Sequence, residues 1–178
     1  MREAIGSTWL FQIVIVFILL FTGYMCLSIN HSKAFAVKDD IIEIIERHNG
    51  IDLTKSAKNG NKTLEEIASR LQTAGYRTNG NCSALGKKDS NSGFSEWYGF
   101  NREGNAVGNG ENVTFCIRRM NVSGNIQTTT NSGLISELPE TVYYQVGVFY
   151  QLDLPVLNYL MSFSLKGDTR VIYNPNEK

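Results

Sequence analysis

Residues 9–29 carry no charged side chain, and Gln12 is the only strongly polar residue among them. Wound as an α-helix at about 1.5 Å per residue, this run is about 30 Å long, the thickness of a bilayer's hydrocarbon core. In a chain of 178 residues, that leaves room for one small folded domain. The sequence divides accordingly into a short N-terminal segment (1–7), a transmembrane helix (8–30), an amphipathic stem helix (31–48) and an extracytoplasmic head (49–178). A secretory signal has a shorter apolar region, about 7–15 residues, followed by a small-x-small cleavage site. Ala34-Phe35-Ala36 fits that pattern, so cleavage after Ala36 is the alternative to a retained anchor. The length of the run favours the anchor.

Charge orients the helix poorly. Arg2 and the terminal amine flank one end, His31, Lys33 and Lys38 the other, and the positive-inside rule does not favour a cytoplasmic N-terminus. Cysteine usage argues better. Cys26 lies in the apolar run and reads as a small buried hydrophobe. Cys82 and Cys116 are the other two; they form a disulfide if the head lies outside the cytoplasm, or stay as unrelated thiols if it does not. No cysteine or histidine spacing points to zinc.

Beyond the apolar run, Ala34, Val37, Ile41, Ile44, Ile45 and His48 recur at three- to four-residue spacing. Lys38, Asp39, Glu43, Glu46 and Arg47 fill the opposite face. One helix is therefore expected from about residue 8 to residue 47, closed by Asn49-Gly50 in left-handed conformation. Thr63-Leu64-Glu65-Glu66 reads as the capping box of a second helix, with Leu64, Ile67, Ala68 and Leu71 as its apolar face and Gly75 as its stop. Residues 78–95 read as a polar surface loop that Cys82 staples to the core, and 121–136 as another loop. Strands are expected in 93–101 and in 112–120, where Val113, Phe115 and Ile117 alternate with Thr114, Cys116 and Arg118. Turn chemistry between the two makes a hairpin. Residues 143–151 are β-branched and aromatic, 157–161 form a short apolar wedge after Pro155, and 162–173 alternate again around Gly167-Asp168, a hairpin turn or a bulge. The fold class is α+β, a long N-terminal helix followed by a small head with an antiparallel sheet.

Catalytic chemistry finds little footing. The two histidines, His31 and His48, lie far apart on the long helix, outside any nucleophile or metal motif. Asp39-Asp40 and Glu65-Glu66 are neighbours that point about 100° apart on a helix and make no acid–base pair. The glycine-rich 104–110 lacks the lysine and following helix of a phosphate loop. Alternation sends Arg118 and Arg119 to opposite faces of a strand. Asn61, Asn81, Asn112 and Asn121 head Asn-x-Ser/Thr triplets, which arise easily in so asparagine-rich a chain. Seventeen acids balance seventeen bases, so no long-range field gathers nucleic acid. No enzyme activity, metal or cofactor is expected.

A few polar residues, one apolar helix continuing as an amphipathic stem, and a small β-rich head together resemble the type IV pilin superfamily. The chain's end is similar to the TadE-type pseudopilins of tight-adherence pili. It has an apolar strand (144–150), a proline-containing leucine-rich wedge (154–160) and a last strand (162–171), and this likeness favours a long or bulged closing strand over a hairpin. It covers roughly residues 1–47 and the last 35 or so in pattern, and the middle matches no family pattern. Such families are processed by a prepilin peptidase after a glycine, leaving a glutamate just inside the mature helix. Gly6 stands before the apolar run here, whereas the acidic residue, Glu3, precedes it. The resemblance implies a structural role, a minor pilin-like or accessory subunit of a bacterial pilus or secretion apparatus. Its partners would be the lipid bilayer and other pilin-like or membrane subunits, through Ile13, Phe17, Leu20, Thr22, Cys26 and Leu27. Thr22 and Cys26 form a small-residue stripe there. The alternative is a secreted or anchored module whose polar loops, 80–95 and 124–136, bind a ligand or the cell wall.

Overall fold

The structure, a computed structural model, describes residues 2–86, 97–108, 112–122, 141–151 and 162–173. Helix α1 (Arg2–Arg47) runs without interruption for 46 residues, about 70 Å of rod. No proline falls within it, so the hydrogen-bond ladder continues from the apolar run into the stem. It ends as its sequence requires. Asn49 takes φ 56° and its N–H donates to Glu46 O, while Gly50 N–H reaches back to Ile45 O, the paired bonds of a Schellman ending.

Helix α2 (Lys62–Thr73) starts one motif earlier than the sequence indicates. Its cap is Asn61, whose Oδ1 accepts from Leu64 N at 3.2 Å and whose Nδ2 donates to Asp52 O at 2.7 Å. Thr63 lies inside the first turn, buried, with its hydroxyl 3.5 Å from Gly50 O. The expected capping box is thus replaced, because Glu66 is drawn to α1. Its two carboxylate oxygens meet Arg47 Nη1 at 2.7 Å and His48 Nε2 at 2.8 Å, and Arg47 also holds Glu43 at 2.9 Å. Gly75, at φ 64°, ends α2 as expected.

Strands β1 (Tyr98–Phe100), β2 (Phe115–Asn121), β3 (Thr141–Gln151) and β4 (Ser162–Asp168) form an antiparallel sheet in that order, and β5 (Ile172–Tyr173) also pairs with β3. The expected β1–β2 hairpin is present. The closing segment is one bulged strand rather than a hairpin. Gln145 opposes Asp168 but Val142 opposes Ile172, so one extra residue is inserted between β4 and β5. Thr169 bridges the bulge, exchanging hydrogen bonds with Tyr144 through its N–H and Oγ1, and Glu46 of α1 accepts from Arg170 N at 2.7 Å. The apolar wedge, 154–161, and the polar stretch 123–140 lie outside the described residues.

Both faces of the sheet are covered. On one, Ala34, Val37, Ile41, Ile44 and Ile45 of α1 and Leu64, Ile67 and Leu71 of α2 pack on Phe115 and Ile117 of β2 and on Val142, Tyr144, Val146 and Val148 of β3. On the other, Leu85 from a 3₁₀ turn (Cys82–Leu85), Trp97, Val113 and Phe149 enclose the Cys82–Cys116 pair. Strict alternation anticipated only the first face. Two glycines permit these contacts: a Cβ on Gly147 would lie 2.3 Å from Leu85 Cδ1, and one on Gly167 would meet Ile42 Cδ1 at 2.8 Å and Lys38 Cδ at 2.9 Å. Lys38, assigned by periodicity to the polar face, is only 7% exposed. Its hydrocarbon chain lies over Gly167 while Nζ reaches Asp39 at 3.0 Å and the Phe35 ring at 3.8 Å.

Two measurements check this construction. Gly147→Val forces a side chain into the space of Leu85 and should cost about 1–3 kcal/mol, read as a lower urea midpoint for the full chain in detergent. Acid should loosen the same core. Hydrogen bonds from Thr54 and Lys55 hold the Asp52 carboxyl down to about 2, and His48 and Arg47 hold Glu66 below its usual range. Carboxyls depressed in the folded state stabilise it above their unfolded values and lose that contribution as pH falls through the folded ones. The thermal midpoint should therefore drop between about pH 4 and pH 2, with a shallower drop in Asp52→Asn.

Candidate functional site

Residues 9–21 of α1 form a continuous apolar surface that the rest of the chain leaves uncovered. Trp9, Phe11, Phe17, Leu19, Leu20 and Tyr24 are each about two-thirds exposed or more, and no residue of the most apolar 18-residue window is buried by the rest of the chain. A cylinder about 30 Å long and 10 Å wide presents about 900 Å², more than the roughly 300–600 Å² of the largest apolar patch on an ordinary soluble monomer. Water is a poor partner for such a surface. The helix is long and apolar enough to cross a membrane.

The helix residues singled out by sequence fall into two groups. Ile13, Phe17 and Leu20 are fully available, at 52%, 67% and 70% exposure. Thr22 is exposed, but its hydroxyl donates to Ile18 O of its own helix at 2.8 Å. Cys26 and Leu27 are half-covered by the chain itself, as are Gly23 and Asn30. The spacing 23, 26, 27, 30 continues into Ala34 and Val37, which are buried, so the stripe that supports the head extends into the apolar run. The small-residue stripe is therefore partly occupied within the chain. Of the two processing candidates, Gly6 lies within the helical backbone, and Ala36 is exposed on α1 between Ala34 and Val37.

Where α1 leaves its apolar stretch, an aromatic group joins it to the sheet. The His31 ring stands edge-on to Tyr150 at 5.4 Å, Tyr150 stacks on Phe163 at 5.1 Å, and Phe35 lies 6.4 Å from His31. His48, just past the end of α1, hydrogen-bonds Glu66 through Nε2 at 2.8 Å. Periodicity placed both histidines on the helix; only the tertiary packing shows that His31 docks on the sheet and His48 on α2.

Cys82 and Cys116 are joined in a disulfide, Cα atoms 5.9 Å apart, closing a separation of 34 residues. It fastens the 3₁₀ turn to the start of β2. Cys26 takes no part in it. Tyr76 adds a second fastening, its hydroxyl donating to Phe149 O, and burial raises its phenol above the ordinary range. Nothing in the local pattern around Tyr76 signals this, because the acceptor lies 73 residues away.

An open cleft of about 250 Å³ with polar lining is formed by Arg77, Asn79, Asn101, Arg102, Glu103, Asn112 and Thr114. Thr114 Oγ1 donates to Asn79 Oδ1 at 3.1 Å, and Arg102 reaches Gln72 O at 3.4 Å. Of the suggested ligand loops, 80–86 contain the 3₁₀ turn Cys82–Leu85, which buries Cys82 and Leu85 and exposes Ser83 and Ala84, while 87–95 and 124–136 lie outside the described residues. Two of the asparagine triplets serve as caps: Asn61 starts α2, and Asn81 Oδ1 accepts from Ser83 N at 2.8 Å. Among the described residues no three of His, Cys, Asp or Glu come together as metal ligands. No protein-family model matches the chain, and no curated protein or solved structure is significantly similar to it.

The disulfide is the chemically testable part. Reduction, or Cys82→Ala with Cys116→Ala, should lower stability by about 3–4 kcal/mol, seen as an earlier urea transition for the head while the helical signal of α1 persists in detergent.

Proposed function

We propose that the chain is a membrane-anchored structural subunit, a minor pilin-like or accessory component of a bacterial pilus or secretion apparatus, with its head outside the cytoplasm. One observation carries this reading. A single unbroken helix is bare and apolar over residues 9–21, yet supplies the core of the head from Ala34 onward. A rigid rod so divided transmits the position of its apolar half directly to the head, which suits a subunit held by lateral helix contacts. In lipid the bare half is satisfied by acyl chains, and in an assembly the same side chains are satisfied by neighbours, at little difference in free energy. The likeness to TadE-type pseudopilins rests on the same layout together with the bulged last strand. The role is structural, without catalysis.

A second reading, an extracytoplasmic binding module released at Val37, draws on the polar cleft around Arg77 and Arg102. Against it stands Ala34, fully buried in the head and lost by that cut.

Mass and N-terminal sequence of the protein taken from its native membrane without reduction separate the two. An intact chain, or one cut near Gly6, two hydrogens lighter than the thiol form, is expected; a start at Val37 overturns the proposal. In the same membrane, Leu20→Cys in a Cys26→Ser background should give oxidative crosslinks to helices of neighbouring subunits. Failure to crosslink would leave an anchor with no assembly role.

A further inference from the structure

The level at which the head meets the apolar helix is set by described contacts. Between Glu3 and Lys33 no side chain carries a permanent charge, so the hydrocarbon core, about 30 Å or 20 residues of helix, must fall inside that interval. Centring it places its head-side boundary near Ser28 to Asn30. Tyr150, at the end of β3, touches His31, and Phe163, at the start of β4, stacks on Tyr150. These two strand ends thus lie within about one helical turn, roughly 5 Å, of the hydrocarbon boundary. The headgroup layer on each side is about 5–7 Å deep. No stalk separates head from membrane.

The chemistry at this level fits the layer. His31, Lys33, Phe35, Tyr150 and Phe163 are aromatic or basic, and the first acid along α1 above them, Asp39, is paired with Lys38. Amphipathic rings favour the membrane–water boundary, and basic groups there face phosphates.

We infer that Tyr150 of β3 and Phe163 of β4 form a second membrane-contacting surface, seated in the lipid headgroup layer beside α1. The inference rests on the membrane-anchor reading. It has a consequence for assembly: one face of the helix is shielded by the head, and neighbours must approach from the faces bearing Phe17, Leu20 and Tyr24.

The test uses the full chain in phosphatidylcholine vesicles containing lipids brominated near the top of the acyl chains or near the bilayer centre. Phe163→Trp in a Trp9→Phe, Trp97→Phe background reports the depth of the strand end, and Trp97→Phe alone reports Trp9 of the helix. Loss of most emission from the introduced indole to shallow bromines, with little loss to deep ones, is expected. Quenching of Trp9 without quenching at position 163 overturns the seating and leaves the anchor intact. Absence of quenching at Trp9 as well overturns the anchor reading itself. Tyr150→Trp, at the same level, decides the matter by the same criteria where Phe163→Trp does not fold.

Discussion

The head depends on one contact, the stripe of Ala34, Val37, Ile41, Ile44 and Ile45 laid against the even-numbered residues of β3. Five strands alone would expose an apolar face, and α2 is too short to cover it. By entering the core, α1 supplies what a small domain lacks, a long preformed surface on which strands condense. The ion pair of Glu66 with Arg47, its hydrogen bond with His48, and the bond from Arg170 to Glu46 fix α2 and the strand bulge to the end of the same rod.

The opposite face is closed by other means. Leu85 drops onto Gly147, and the disulfide ties its 3₁₀ turn to β2. A helix on one side and a covalent staple on the other leave β3, the central strand, buried on both faces over residues 146–149. That arrangement explains why the alternation of 112–120 fades in the structure: Phe115, Cys116 and Ile117 are all buried, two toward the stem and one toward the staple.

Because one helix carries both the apolar run and the core of the head, the head has no independent freedom to stand away from that run. The boundary of the apolar run determines where the sheet begins, and the aromatic group of His31, Tyr150 and Phe163 marks that boundary. The helix sets the position, and the sheet follows.

The sequence by itself determined the features governed by neighbours along the chain. A run without charge, a three-to-four-residue stripe and Asn49-Gly50 fix a long helix, its buried face and its end, because periodicity and capping act within a few residues. The α+β class, the β1–β2 hairpin and the pairing choice left by two head cysteines were legible for the same reason. Tertiary structure decided the rest. Asn61 displaced Thr63 as cap because Glu66 had a stronger partner on α1. Lys38 sank into the core because Gly167 left room for its methylenes. Tyr76 found its acceptor 73 residues away. Each of these depends on groups brought together by packing, and no local pattern carries that information.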